Sequence, residues 1–202
     1  MLILHDPRCS GYGSAMRPEQ PARVLRSAAH LRRTHPDWTW REPEAADGDD
    51  ATLLTVHSAA HVKRLSQPRD FDADTPFFPE IGDHARRSVA AAIGAARHAL
   101  SSSSSEPVFS LMRPPGHHAT AEQAMGFCYL NQIAIAALVA RGRLGARRVA
   151  VWDFDAHHGN GTEAILLGRD GVLFTSVHQH PAYPGTGTQD RAPNIRNWPV
   201  PP

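Results

Sequence analysis

The sequence has few cysteines, no long apolar run and almost no net charge. Cys9 and Cys128 are its only cysteines, too few for a disulfide framework, which favours a reducing cytoplasm as the compartment. No apolar run approaches the roughly 18 to 20 residues of a membrane-spanning helix, and the start, MLILHDP, lacks the basic region of a secretory signal. Because 21 Lys and Arg balance 20 Asp and Glu, neither nucleic acid nor an anionic membrane is expected as a partner.

Length and composition are typical of one globular domain. The chain has 202 residues, of which 41% are hydrophobic and 20% charged, a balance that argues against disorder. This length suffices for one sizeable core and leaves little for a second. The chain also contains 13 histidines, which are many for its size and are unevenly distributed.

Strand-like and helical segments alternate along the chain. The clearest helix is predicted at residues 83–100, and an apolar run at 148–154 predicts a strand buried on both faces. This alternation indicates an α/β fold with a parallel sheet. The other predicted elements are strands at 2–5, 107–112 and 171–177, helices at 22–34, 59–65, 132–141 (capped by Asn131) and 162–167, polar or exposed loops at 36–50 and 66–79, and a turn at the serine run 101–105.

Three loops that follow predicted strands are rich in histidine or aspartate. They contain RPPGHH at 113–118, DFDAHHGNG at 153–161 and HQH at 178–180. In open α/β sheets, ligands bind beyond the carboxyl ends of the strands, so these loops are expected to meet at one site. His178 and His180 are nevertheless isolated after their strand, so a structural or surface role is predicted for each, and neither is predicted to be a metal ligand.

The middle cluster has the spacing of a metal site. Side chains alternate along an extended segment, so Asp153, Asp155 and His157 are expected to point the same way. Carboxylates with an imidazole suit a divalent metal such as zinc, and an incomplete protein ligand set leaves room for water. A polar strand end with satisfied hydrogen bonds is the alternative that this segment alone leaves open.

The adjacent pair His117 and His118 complements such a metal. One imidazole is suited to act as a base toward water and the other as an acid, although a plain surface turn is equally compatible with the loop. In GFCYLN, Phe127 and Tyr129 fit either the wall of an apolar channel or core packing. Cys128 is not favoured as a nucleophile, because a metal-activated water makes a thiolate redundant.

Together these motifs resemble the arginase/deacetylase superfamily, in particular zinc-dependent histone deacetylases of the class II-like or bacterial branch. The matching segments are RPPGHHA at 113–119, GFCYLN at 126–131, DFDAHHGNGTE at 153–163 and SVHQHPAYPGTG at 176–187, with weaker similarity at 17–24 and 72–76. The resemblance implies a three-layer α/β/α fold with a mostly parallel sheet. It also implies that residues 1–202 form a single, incomplete catalytic domain similar to the N-terminal two thirds of the family's domain.

The resemblance also implies roles for individual residues. Zinc would be bound by Asp155 and His157, and a structural potassium would lie nearby. The reaction would be hydrolysis of an acyl amide, with zinc polarising the carbonyl and water while the histidine pair moves protons. Of His117 and His118, one would be polarised by Asp153 and the other oriented by Asn160. Gly126 and Phe127 would line the substrate tunnel. The implied potassium ligands are Asp153, Ser176 and main-chain oxygens of Asp155, His157 and Val177.

Two of the family's residues have no counterpart in a matching motif. The family supplies a third zinc ligand, an Asp, and a Tyr that donates to the developing oxyanion, whereas the last such residues here are Asp190 and Tyr183. Three hypotheses follow: a deacetylase of acetyl-lysine in proteins or of a similar acetylated amine, an acetylpolyamine amidohydrolase, and a non-catalytic relative. The sequence does not indicate an oligomeric state.

Overall fold

The computed structural model describes residues 1–101 and 106–202, and the turn predicted for the serine run falls largely on residues 102–105, outside the described part. Strands and helices alternate through the chain. In order, the elements are β1 (Leu2–Leu4), α1 (Ala22–Thr34), β2 (Thr39–Arg41), α2 (Asp50–Leu53), α3 (Ala59–Arg64), α4 (Ile81–Leu100), β3 (Val108–Ser110), α5 (Gln132–Gly142), β4 (Val149–Asp153), α6 (Asn160–Leu166), β5 (Val172–Gln179) and β6 (Ile195–Val200), with short 3₁₀ turns at Pro7–Ser10 and Ala45–Gly48.

The described strands form two parallel three-stranded sheets, in the orders β2-β1-β3 and β4-β5-β6. This confirms the α/β class with parallel strands, although the sequence was expected to form one sheet. Strand β2 also corrects the loop predicted at 36–50. Thr39 and Trp40 pair in register with Leu2 and Ile3, and the Thr39 N–H donates to the Met1 carbonyl at 3.1 Å. Pairing across the chain therefore overrides the polar composition around this short segment.

Helices α4 and α5 form the centre of the core. Ile81, Val89 and Ile93 of α4 are buried together with Ile135 of α5. Asn131 caps α5 as predicted, since its side-chain oxygen accepts the Ala134 N–H at 3.0 Å. No helix among the described residues is both long and apolar enough to cross a membrane.

Strand β4 is not buried on both faces. Val151 is buried on one face, but Trp152 is 67% exposed and the following Phe154 is 76% exposed. On the neighbouring β6, Trp198 is 53% exposed. The apolar run predicted burial by analogy with parallel sheets that are covered on both sides. Here α5 packs against β4 and α6 against β5 on one face, and β4 lies at the edge of its sheet.

Two buried histidines make the stability of the fold depend on pH. His57 is 2% exposed, its Nε2 accepts the Asn131 N–H at 3.0 Å, and its ring centroid lies 4.8 Å from that of His61. Burial, and then the proximity of His61, lowers the pKa of His57 from its ordinary 6.5 to about 4. Between these two values the unfolded chain binds the proton and the folded chain does not, so stability falls as the pH falls from 6.5 to 4.

We expect His57→Gln to reduce this loss. A pKa difference of this size corresponds to about 3 kcal/mol in the free energy of unfolding. Urea unfolding at pH 7 and pH 4 is expected to show a pH-dependent loss smaller by about that amount in the variant than in the wild type. His30→Gln, at an exposed position, is the control and should leave the pH dependence unchanged. Equal pH dependence in wild type and His57→Gln would contradict this account.

Candidate active site

A pocket of about 490 Å³ lies beyond the carboxyl ends of β4 and β5. Six residues that the sequence predicted for the site line it. They are His117, His118, Gly126, Phe127, Asp155 and His157. The loop before α5, the loop after β4 and the loop after β5 thus meet at one place, as is usual for parallel strands.

The two adjacent histidines are each oriented by a different side chain. The Nδ1 of His117 lies 2.9 Å from Asp153 Oδ2, and the Nδ1 of His118 lies 2.8 Å from Asn160 Oδ1. Both partners are acceptors, so each Nδ1 carries a proton and donates it, which leaves each Nε2 without one in the neutral ring. The ring centroids are 4.0 Å apart. The structure therefore brings together the four residues predicted to be catalytic.

The electrostatics of the two histidines differ. His118 is 4% exposed, and burial together with the neighbouring His117 lowers its pKa to about 4. Its partner Asn160 is neutral, whereas His117 faces the carboxylate of Asp153.

Asp155 and His157 lie side by side at the pocket. Asp155 Oδ1 is 3.2 Å from His157 Nδ1, and both side chains are half exposed. Burial tends to raise the pKa of Asp155, but hydrogen bonds and nearby charge from His157 and His117 outweigh it and lower the pKa. Two ligands of one tetrahedral zinc at about 2.05 Å lie about 3.3 Å apart, so this pair fits two positions of a zinc site.

A third ligand is not found among the described residues. Across residues 1–101 and 106–202, no three His, Cys, Asp or Glu side chains are arranged to hold a metal ion. The residues present therefore fit part of a zinc site, with two protein ligands and open positions.

The residues predicted to hold potassium are neighbours in the second sheet. Asp153 at the end of β4 pairs in register with Ser176 of β5, and Val177 follows Ser176. Ser176 is fully buried, and its hydroxyl lies 2.9 Å from His178 Nδ1. His178 is itself buried, in keeping with the structural role expected for it. Potassium binding here remains a prediction.

Several lining residues were not assigned a role from the sequence. Tyr183 packs edge-on against His118 at 5.0 Å between ring centroids, and burial raises the pKa of its phenol to about 12. Asp74 comes from the loop at 66–79, which was predicted to be exposed and in which residues 72–76 have weaker family similarity. The position of Tyr183 within the segment 176–187, which matches a motif, was the available signal. The other unassigned lining residues are Pro18, Glu19, Arg23 and Pro115.

A buried ion pair supports the wall of the pocket. The Arg113 guanidinium donates to both oxygens of Glu19, at 2.5 and 2.7 Å, and also donates to the Cys9 carbonyl at 2.8 Å. Arg113 and Glu19 are 1% and 6% exposed. This bidentate pair fixes the segment that carries Pro18 and Glu19 against the start of the histidine loop.

Comparison with known families gives a match that covers most of the chain. The model of the histone deacetylase domain matches residues 17–201, which is most of the chain. The chain belongs to the histone deacetylase family. The α/β fold, the histidine pair and the loop of residues 155–160, called the metal loop here because it carries the two predicted zinc ligands, can therefore be discussed as those of a deacetylase-family protein.

Named relatives of this deacetylase-family chain include a probable deacetylase and an acetylpolyamine amidohydrolase. It is 39% identical to a probable deacetylase from Methanothermobacter thermautotrophicus, over 94% of this chain and 58% of that protein. It is 33% identical to acetylpolyamine amidohydrolase 2 from Pseudomonas aeruginosa, over 90% of this chain and 55% of that protein. The crystal structure of the HDA15 HD domain superposes with a TM-score of 0.88 at 31% identity, over 99% of this chain and 61% of that chain.

This deacetylase-family chain is shorter than the relatives that it matches. It spans 58% and 55% of the lengths of the two named relatives. The activity and substrates of a whole deacetylase domain are therefore proposals for this chain.

Cys128, also near the pocket, has no place in the chemistry of the site. Its side chain is fully buried, and burial raises the pKa of its thiol. A buried thiol that holds its proton is a poor nucleophile, in agreement with the sequence-based expectation.

Proposed function

We propose that this site takes part in zinc-dependent hydrolysis of an acetylated amine, with acetyl-lysine in a protein or peptide as the substrate class. The observation that carries the proposal is the placement of His117 and His118. Each has its Nδ1 hydrogen-bonded to an acceptor and lies in the same pocket as Asp155 and His157. Family membership supports amide hydrolysis, and the donor pair supports zinc.

The hydrogen-bond partners suggest how the two histidines divide the proton transfers. His118 is the base that takes the proton of the attacking water at Nε2, since its neutral partner Asn160 leaves the ring uncharged beforehand. His117 is the acid toward the leaving amine, because the Asp153 carboxylate stabilises its protonated form. When bound, zinc would act as a Lewis acid toward the amide carbonyl and water.

Other residues would shape the environment of the reaction. Gly126 and Phe127 line the pocket, and Phe127 is held in a left-handed conformation with its N–H donating to Thr75 Oγ1 at 3.1 Å. We propose that they contact the acyl-lysine chain. A potassium ion near Asp153 and Ser176 is a further part of the proposal and rests on the resemblance. A cytoplasmic location is also proposed, and it rests on the low cysteine count.

The charges of the pocket favour acetyl-lysine over an acetylated polyamine. A cationic polyamine calls for an excess of acidic groups. Outside the metal loop, the described lining residues include two carboxylates, Asp74 and Glu19, and Glu19 lies 3.6 Å from Arg23 and 2.5 Å from Arg113. The charge of Glu19 is therefore largely neutralised, which leaves Asp74 as the acidic group there, and N-acetylputrescine is the comparison substrate that tests this choice.

The proposal is tested by a hydrolysis assay. We expect the chain with added zinc to hydrolyse an acetyl-lysine peptide, giving acetate and the deacetylated peptide, faster than it hydrolyses N-acetylputrescine, with the deacetylated products measured by mass spectrometry. A chelator and the His118→Ala substitution should each reduce the rate of hydrolysis to background. The control His180→Ala changes a residue outside the pocket lining and should not reduce that rate. Hydrolysis that persists with the chelator would contradict the proposal.

A second candidate function is binding without turnover. It is favoured by the two-ligand donor set, which is one protein ligand short of an open catalytic zinc site among the described residues. In that case the acetylated peptide binds, as measured by fluorescence anisotropy, and is recovered intact after incubation with zinc.

A further inference from the structure

A buried carboxylate next to the metal loop has no part in the proposed proton transfers. Glu163 lies in the first turn of α6 and is 6% exposed. Its Oε2 accepts from His158 Nε2 at 3.1 Å and from Asn197 Nδ2 at 2.7 Å, and its Oε1 accepts from Arg191 Nη1 at 3.1 Å. A buried charge is tolerated only when it is paired and hydrogen-bonded, and here both oxygens are used.

His158 transmits this anchoring to the metal loop. It is 1% exposed, and because its Nε2 donates to Glu163, its Nδ1 accepts the hydroxyl of Thr186 at 2.8 Å. Its ring packs 4.6 Å from that of His178. A Cβ at Gly187, where φ is +78°, would come within 2.5 Å of the His158 ring, so the ring is closely enclosed.

One carboxylate therefore connects three segments. His158 lies between the predicted zinc ligand His157 and Asn160, the partner of His118. Arg191 follows the loop that contributes Tyr183 to the pocket, and Asn197 belongs to β6. Burial alone would raise the pKa of Glu163, but its three hydrogen bonds outweigh burial and lower the pKa to about 2. The carboxylate is thus ionised at every pH at which the protein would be assayed.

We propose that Glu163 is a positioning residue that acts through His158. It fixes the loop of residues 155–160 in the conformation in which His157 lines the pocket and Asn160 accepts a hydrogen bond from His118. The expected contribution of Glu163 to zinc affinity rests on the proposed function, whereas its anchoring of the loop does not require the metal.

Two variants and two matched controls test the anchoring. Glu163→Gln removes the charge, and Thr186→Val removes the hydroxyl that His158 accepts with almost no change of shape. The controls are Thr186→Ser, which keeps the hydroxyl, and Glu122→Gln at an exposed position. In the metal-free chain, amide hydrogen exchange of residues 155–160 should accelerate at least about tenfold in both variants and in neither control. Exchange in α4 should not change.

Zinc titration by calorimetry provides the second readout. Loss of an outer partner of a ligand loop typically weakens metal affinity by about 10- to 100-fold, and this range is expected for Glu163→Gln and Thr186→Val. Unchanged loop exchange in both variants would overturn the inference, as would acceleration that extends equally through α4. A third outcome is that the wild type binds no zinc but hydrogen exchange of residues 155–160 is still faster in the variants. That result would support the anchoring of the loop and contradict the proposed function.

Discussion

Replacing Arg113 with methionine is expected to lower the free energy of unfolding by about 3–5 kcal/mol. Arg113 is 1% exposed and pairs with both carboxylate oxygens of Glu19, which is 6% exposed. The variant leaves Glu19 as a buried charge without its main partner and leaves the Cys9 carbonyl without a donor. Urea unfolding monitored by circular dichroism measures the loss.

The double variant Glu19→Gln/Arg113→Met separates the ion pair from packing. Because the unpaired charge is removed together with its partner, we expect the double variant to be more stable than Arg113→Met alone. Arg26→Met, at an exposed position of α1, is the matched control and should change stability by no more than about 0.5 kcal/mol. A loss of less than about 1 kcal/mol in Arg113→Met would contradict the stabilising role of this pair.

Local sequence patterns predicted much of the fold. The bounds of α1 match the predicted 22–34, and the Asn131 cap marks the start of α5. The order β4–α6–β5 was predicted, and the bounds of these elements were predicted to within one or two residues. Apolar strand runs and glycine-rich turns can be recognised in contiguous sequence. These elements needed no knowledge of distant partners.

Features that depend on distant partners were not predictable in this way. The polar composition of 36–50 concealed β2, whose pairing with β1 spans more than thirty positions. The exposure of Trp152 depends on what covers the sheet, which an apolar run does not specify. Arg113 and Glu19 are 94 positions apart, so nothing local to either residue indicates their ion pair.

In the candidate site, too, contacts within one segment were predictable from local sequence, and contacts between distant segments were not. Asp155 and His157 are two positions apart, so their proximity is local, although the bend after β4 that carries them replaces the extended segment expected from the sequence. The hydrogen bond from His117 to Asp153 joins loops 36 positions apart, and the resemblance to the deacetylase family supplied that expectation. The network of Glu163 depends on folded loops that no motif describes, and it became visible only in the structure.

Asp155→Asn should weaken zinc binding more than any other single change considered. The variant keeps the shape of the side chain but removes the charge of one of the two predicted protein ligands. We expect the zinc dissociation constant to rise at least about 100-fold, beyond the usual 10- to 100-fold cost of losing an outer partner. Asp190→Asn is the control, because Asp190 lies outside the pocket lining and hydrogen-bonds to the Asn197 backbone.

Calorimetric zinc titration of the wild type, Asp155→Asn and Asp190→Asn is the most direct test of the proposed metal site. A zinc site that contains Asp155 predicts one zinc per chain in the wild type, near-complete loss of binding in Asp155→Asn and unchanged binding in Asp190→Asn. Wild-type affinity in Asp155→Asn, or the absence of zinc binding by the wild type, would contradict it.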